Sequence, residues 1–207
     1  IWRIGPPSTE KHLPNSLCIS QEKIENLTGN MNEEGLLSWN APEGKWVILR
    51  MGYTSTGKTN YTGGGGLGLE CDKFNPAAAR LQFENWFGAV LDKAGPELSE
   101  KVLEIFHVDS WECGSQNWSP VFREEFISRH GYDPVEFLPA MAGIPIESVE
   151  ASENYLHDIR RTIAELVVDN FYDVLADSVR RLGCSFSAEC IAPTMASDGM
   201  LHYRSVD

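Results

Sequence analysis

Apolar positions change their spacing partway along the chain. Up to about residue 45 they are sparse: residues 1–35 are rich in proline and polar groups, with one weak strand-like stretch at Leu17-Cys18-Ile19. Leu36-Leu37-Ser38-Trp39 and Lys45-Trp46-Val47-Ile48-Leu49-Arg50 then flank Asn40-Ala41-Pro42-Glu43-Gly44, which reads as a β-hairpin with Pro and Gly in the turn. A glycine-rich loop follows, ending in Gly68-Leu69-Glu70. Beyond it, strand-like and helix-like runs alternate. Asn75-Pro76 is an N-cap followed by proline at the first helical position, and Leu81, Trp86, Phe87, Val90 and Leu91 make a helical stripe up to Gly95-Pro96. The mostly apolar run 103–108 suits a buried parallel strand. Helices are predicted from Ser119-Pro120 to His130-Gly131 and, shorter, over 134–142. The longest helix runs from about Ser152 to Leu182 on a stripe of Leu156, Ile159, Ile163, Leu166, Val167, Phe171, Val174, Leu175 and Leu182, with Gly183 as its stop. A last strand covers 184–188 and leads to Glu189.

This alternation implies parallel βα units and an α/β fold class. Three or four units are visible, whereas a closed TIM-type (β/α)8 barrel needs about 250 residues. The expected organisation is an irregular and β-hairpin segment at 1–45, then a partial (β/α)8 barrel over 46–207 that continues beyond the chain end. The opening Ile1-Trp2-Arg3-Ile4, without an initiator Met or a signal peptide, reads as a processed product or a piece of something longer.

Composition narrows the function. Of 207 residues, 42% are hydrophobic and 23% charged, enough for a real core. A net charge of −13 repels phosphate backbones and anionic membranes, so no nucleic-acid partner is expected. No apolar run is long enough for a membrane span. The five cysteines form no Cys-x-x-Cys pair, and no zinc site or disulfide framework is read from them. Three sequons, at Asn26, Asn60 and Asn117, carry little weight alone.

Two nucleotide-binding patterns occur in the glycine-rich region. Residues 52–59 satisfy the P-loop expression through Gly52, Gly57, Lys58 and Thr59, and Gly63, Gly65 and Gly68 satisfy the dinucleotide fingerprint. A phosphate site of either kind needs a helix N-terminus beside it. The glycines after Thr59 disfavour a helix by about 1 kcal/mol each, and the next helix start is at Asn75-Pro76. Phosphate binding is therefore the weakest functional reading, below a flexible surface loop or a loop that lines a site.

Carboxylates recur with more meaning. Glu-Cys occurs at Glu70-Cys71, Glu112-Cys113 and Glu189-Cys190, the last two at the C-terminal ends of predicted strands. In a barrel those ends point into the active site. With Asp72 and Asp109 beside them, the acids suit metal binding or a general acid/base pair, as glycoside hydrolysis requires. Trp111 and Trp118 bracket the segment and offer faces for sugar rings. The competing reading makes each Glu a cap or salt-bridge member, Trp118 and Trp86 core residues, and the cysteines small packing groups.

Longer stretches then carry a family resemblance. They are Trp46-Val-Ile-Leu-Arg-Met-Gly52 with Thr56-Gly57, Gly68-Leu-Glu-Cys-Asp-Lys73, Val108-Asp-Ser-Trp-Glu-Cys-Gly114 and Asn117-Trp118. Phe122-Arg-Glu-Glu-Phe126, His130-Gly-Tyr-Asp-Pro134, Phe137-Leu-Pro139 and Asp158-Ile-Arg160 follow in the same order. Together they span most of 36–192, and the chain resembles part of the catalytic region of glycoside hydrolase family 106, the calcium-dependent α-L-rhamnosidases. The resemblance implies a (β/α)8-type domain that removes terminal α-L-rhamnose from glycans with inversion, outside the cytoplasm in a secreted or periplasmic setting. It implies calcium as cofactor and a rhamnose-containing oligosaccharide or polysaccharide as partner. Glu112 matches the general acid, and Asp109 belongs to the same motif. Trp111, Trp118 and Glu189 are candidate substrate contacts, and Glu70 and Asp72 are candidate metal ligands on chemistry alone. The family's general base lies further along than residue 207, with Glu189 the alternative. A non-catalytic carbohydrate-binding pseudoenzyme is the competing class.

Overall fold

The structure is a computed structural model that describes residues 14–60, 67–111, 114–190 and 196–207. In chain order its principal elements are strands β1 (Thr59–Asn60) and β2 (Gly68–Leu69), helices α1 (Pro76–Gln82), α2 (Ala89–Ala94) and α3 (Pro96–Val102), strand β3 (Ile105–Val108), helices α4 (Phe122–His130), α5 (Leu138–Met141), α6 (Val149–Val167) and α7 (Asp173–Arg180), strand β4 (Ser185–Ala188) and helix α8 (Gly199–His202). The chain divides into two compact units, one running to Gly52 and including His130–Asp158, the other comprising Tyr53–Arg129 and Ile159–Asp207. The division differs from the boundary at residue 45 expected from composition, because 130–158 returns to the N-terminal segment.

In the first unit that return is made by Ile19, which bridges Ile146 in parallel fashion. Ile19 N–H donates to the Pro145 carbonyl at 2.9 Å, and Glu147 N–H donates to the Ile19 carbonyl at 2.8 Å. Ile146 is fully buried. Tyr155 stacks on Phe137 with ring centroids 5.5 Å apart, and the Tyr132 hydroxyl donates to Asp158 Oδ2 at 2.9 Å. The chain reverses at Pro42–Gly44 as the turn residues predict: Trp46 Nε1 donates to the Pro42 carbonyl at 2.9 Å, and its ring meets Trp39 edge-on at 5.1 Å. The predicted hairpin strands do not form there. Residues 45–50 run without a partner strand among the described residues, and Val47 is 81% exposed.

The second unit carries the strand–helix alternation. Asn75 caps α1 by accepting from Ala77 N–H at 3.0 Å, with Pro76 at the first position. The stripe that follows passes through a π-helical turn, Phe83–Gly88, into α2, and Gly95 ends it in the left-handed region at φ 78°. Helix α3, which the sequence reading missed, starts at Pro96 immediately after that glycine. The predicted long helix is continuous from α6 through a second π turn, Val168–Tyr172, into α7, and it stops at Gly183. On its buried face Tyr172 meets Phe186 edge-on at 6.4 Å, and Phe186 and Phe83 both lie on Phe106.

Strands β3 and β4 pair in parallel, Ile105 opposite Ser185 through Val108 opposite Ala188. This is the one pair of parallel strands among the described residues, so an α/β architecture stands while the barrel itself is not formed by them. Gly68–Leu69 is a correction to the expected set: it pairs antiparallel with Thr59–Asn60 as a hairpin. Only Phe106 of β3 is buried on the pattern expected for a central strand, and Ile105 is 58% exposed. Among the described residues, no helix is long and apolar enough to cross a membrane.

His202 closes this core. It is fully buried, stacks on Tyr172 at 4.5 Å, and neither ring nitrogen has a hydrogen-bond partner among the described residues. Burial pushes its pKa below the ordinary histidine value, with Asp198 opposing. The folded state then binds fewer protons than the unfolded chain below the unfolded pKa of about 6.5. The stability His202 contributes is fully present above that value and is lost as pH falls. We expect the thermal midpoint to drop between about pH 7 and about pH 5, and His202→Phe, which keeps the stack, to flatten that slope. The lowered carboxylates Asp169 and Glu165, where burial is outweighed by arginine hydrogen bonds, act further down in pH.

Candidate active site

The parallel register sets the first part of the site. Val108 lies opposite Ala188, so Asp109 and Glu189 leave the same end of the sheet side by side, on strands about 4.8 Å apart. Glu189 N–H donates to the Val108 carbonyl at 2.8 Å, which holds the two strand ends together. Both carboxylate residues are exposed. Asp109 Oδ1 accepts from Ser110 N–H at 2.8 Å and turns the chain toward Trp111. Glu112 and Cys113 lie outside the described residues.

Trp111 is 8% exposed, and its ring carries the Lys73 ammonium at 4.0 Å from the centroid. Lys73 is itself 3% exposed, forms an ion pair with Glu70, and lies 5.2 Å from the Phe171 ring. Next to it, Lys73 N–H donates to Gln116 Oε1 at 3.2 Å, and Gln116 Nε2 donates to Asp72 Oδ1 at 2.5 Å. Segment 70–73 therefore touches the chain on both sides of 112–113, at Trp111 and at Gln116. Its own anchorage is firm. Asp72 Oδ1 also accepts from Phe74 N–H, and Asn170 Nδ2 donates to the Phe74 carbonyl at 2.7 Å. Asn170 and Phe171 come from the second π turn, the local widening of a helix that often marks a functional position.

The remaining predicted residues fall as follows. Glu70 does not end a parallel strand; it reaches the end of β3 through Lys73. Trp118 is half-buried and lies on Phe122, ring centroids 4.7 Å apart. Trp86, expected in the core on the competing reading, is 61% exposed. Burial pushes the Cys71 thiol up, against the pull of Lys73, and burial does the same to Cys190, as befits packing groups. Thr59 of the P-loop pattern lies in β1, and Gly63 and Gly65 of the second pattern are outside the described residues. Lys73, Gln116, Asn170 and Phe171 were missed by sequence reasoning, since no spacing rule picks out a lysine destined for an aromatic face.

For calcium, Glu70 and Asp72 are a poor fit. The Glu70 carboxylate is neutralised by the Lys73 ammonium, Asp72 is committed to Gln116 and Phe74, and no group of three or more ligand-type side chains exists among the described residues.

Known proteins resemble this chain in sequence and in fold. The model of glycoside hydrolase family 106, described as alpha-L-rhamnosidase, matches residues 6–207. A protein of Formosa agariphila provisionally named beta-glucuronidase is 39% identical over 180 residues, covering 86% of this chain and 15% of that protein. The rhamnosidase of Novosphingobium sp. PP1Y superposes with a TM-score of 0.74 at 27% identity, covering 90% of this chain and 18% of that one. The chain thus spans less than a fifth of the length of either relative.

Proposed function

The chain belongs to glycoside hydrolase family 106, the alpha-L-rhamnosidases, and from that premise we propose that it supplies part of the active site of an enzyme that removes terminal α-L-rhamnose from glycans. The observation that carries the reading is the register of β3 and β4, which sets Asp109 and Glu189 side by side at one sheet end. Glu112, three residues past Asp109, is the general acid that protonates the leaving oxygen. A second carboxylate activates water on the opposite sugar face, as inversion requires. Glu189 and Trp118 border the sugar, while Trp111, its face covered by Lys73, acts mainly as support.

The choice between rhamnoside and glucuronide turns on charge. A glucuronide carries a carboxylate and needs a cation to receive it. Lys73 is 3% exposed and already paired with Glu70, and the chain carries a net charge of −13. A neutral deoxysugar suits that environment better. The proposal extends to calcium dependence on the strength of the resemblance, with the ion held by groups other than Glu70 and Asp72; no step above depends on it.

The test compares 4-nitrophenyl α-L-rhamnoside with 4-nitrophenyl β-D-glucuronide as substrates of the intact protein. We expect turnover of the rhamnoside, its loss in EDTA and its return with added calcium. Turnover of the glucuronide alone would replace the rhamnoside reading. Binding of rhamnose without any turnover would favour a carbohydrate-binding pseudoenzyme.

A further inference from the structure

We propose that Lys73 is a positioning residue of this site, whose ammonium, held by Glu70 and laid over Trp111, fixes the strand-end segment that carries Asp109. The inference rests on the reading of that segment as catalytic.

The burial of Lys73 needs a reason. Removing an ammonium from water is costly, and immobilising a long, flexible lysine side chain adds an entropic cost. One carboxylate and two ring faces offset part of this. A methionine of similar length would pack against Trp111 and Phe171 without the desolvation, and buried ion pairs are often replaceable by apolar groups at no loss of stability. Packing alone therefore does not call for a lysine. What the charge adds is direction: an ammonium attracted to the ring face and tied to Glu70 fixes the Trp111 ring relative to segment 70–73.

The surroundings make that segment a suitable reference. It is fastened to the N-terminus of α1 by the Asp72 and Asn75 side chains and to the π turn by Asn170. It grips the chain at Trp111 through Lys73 and at Gln116 through Asp72 and the Lys73 N–H. Asp109 stands two residues before Trp111, at the point where β3 releases the chain. Lys73 is 3% exposed, so the proposed effect is on geometry and not on binding.

The test uses the intact protein with Lys73→Met, read in two ways. In turnover of whichever aryl glycoside the parent hydrolyses, kcat falls about 100-fold, the loss expected of an ångström-scale misplacement, while KM stays nearly constant. The same loss shrinks to a few-fold in a Trp111→Leu background, because the lysine acts through that ring. Independently of activity, 19F NMR of protein labelled with 5-fluorotryptophan gives one sharp Trp111 line in the parent and a broadened or split line in Lys73→Met. Unchanged kcat, a loss confined to KM, or an unaltered Trp111 line overturns the proposal. Where Lys73→Met fails to fold, Glu70→Gln must give the same kcat loss and the same broadening, and normal values in it overturn the proposal equally. Failure of the catalytic reading is distinct: Glu112→Gln would then retain full turnover, whatever Lys73→Met does to the Trp111 line.

Discussion

Replacing Glu112 with glutamine is expected to lower kcat on an alkyl or oligosaccharide rhamnoside by about a thousandfold with KM little changed. Proton donation by a positioned side chain is worth about 10²–10⁴ in rate, and glutamine keeps the shape of the residue without the proton. The loss should depend on the leaving group. A dinitrophenolate departs with little protonation, so dinitrophenyl rhamnoside should lose far less than the methyl glycoside. To act as the acid, Glu112 must stay protonated near neutral pH, which requires a carboxyl pKa raised above the ordinary value. The alkaline limb of the rate profile should therefore disappear in the variant. An equal, small loss on every leaving group would remove Glu112 from the acid role.

Truncating Phe122 to alanine is expected to destabilise the second unit by about 3–5 kcal/mol. Phe122 is fully buried and its ring meets Trp118 at 4.7 Å, Phe74 at 5.8 Å and Phe126 at 6.2 Å. A loss of that size approaches the whole stability of many domains, about 5–15 kcal/mol. Phe74 adjoins Lys73, so the cavity would also loosen the segment that holds Trp111. Urea titration followed by tryptophan fluorescence should show the midpoint shifted strongly down, with activity lost before the global transition. A shift below about 1 kcal/mol would mean that these rings do not support the unit as their burial indicates.

What the sequence made legible follows from how local each signal is. The Asn75-Pro76 start, the Gly95 and Gly183 stops and the long stripe of α6 and α7 are set by caps and periodicity within a few residues, and they appear where expected. The parallel sense of β3 and β4 follows from the alternation of strand and helix patterns, while their pairing with each other has no sequence mark. The hairpin over 36–50 failed: its turn is local and formed, but its strands depend on a partner that alternation alone cannot supply. Gly68–Leu69 went to an antiparallel hairpin because Thr59–Asn60 was available nearby, a pairing with no strong sequence mark. In the site, Asp109 and Glu189 were legible as strand-end carboxylates. Lys73 was not, since its role depends on Trp111 and Phe171, which are distant in sequence and meet it only in the fold.

The assignment of this site to inverting rhamnoside hydrolysis is tested most directly by proton NMR of the sugar first released from an aryl α-L-rhamnoside by the intact protein. L-rhamnose is expected to appear first as the β-anomer, before mutarotation, at a rate that collapses in Glu112→Gln. Release of the α-anomer first, or of no rhamnose at all, would contradict it.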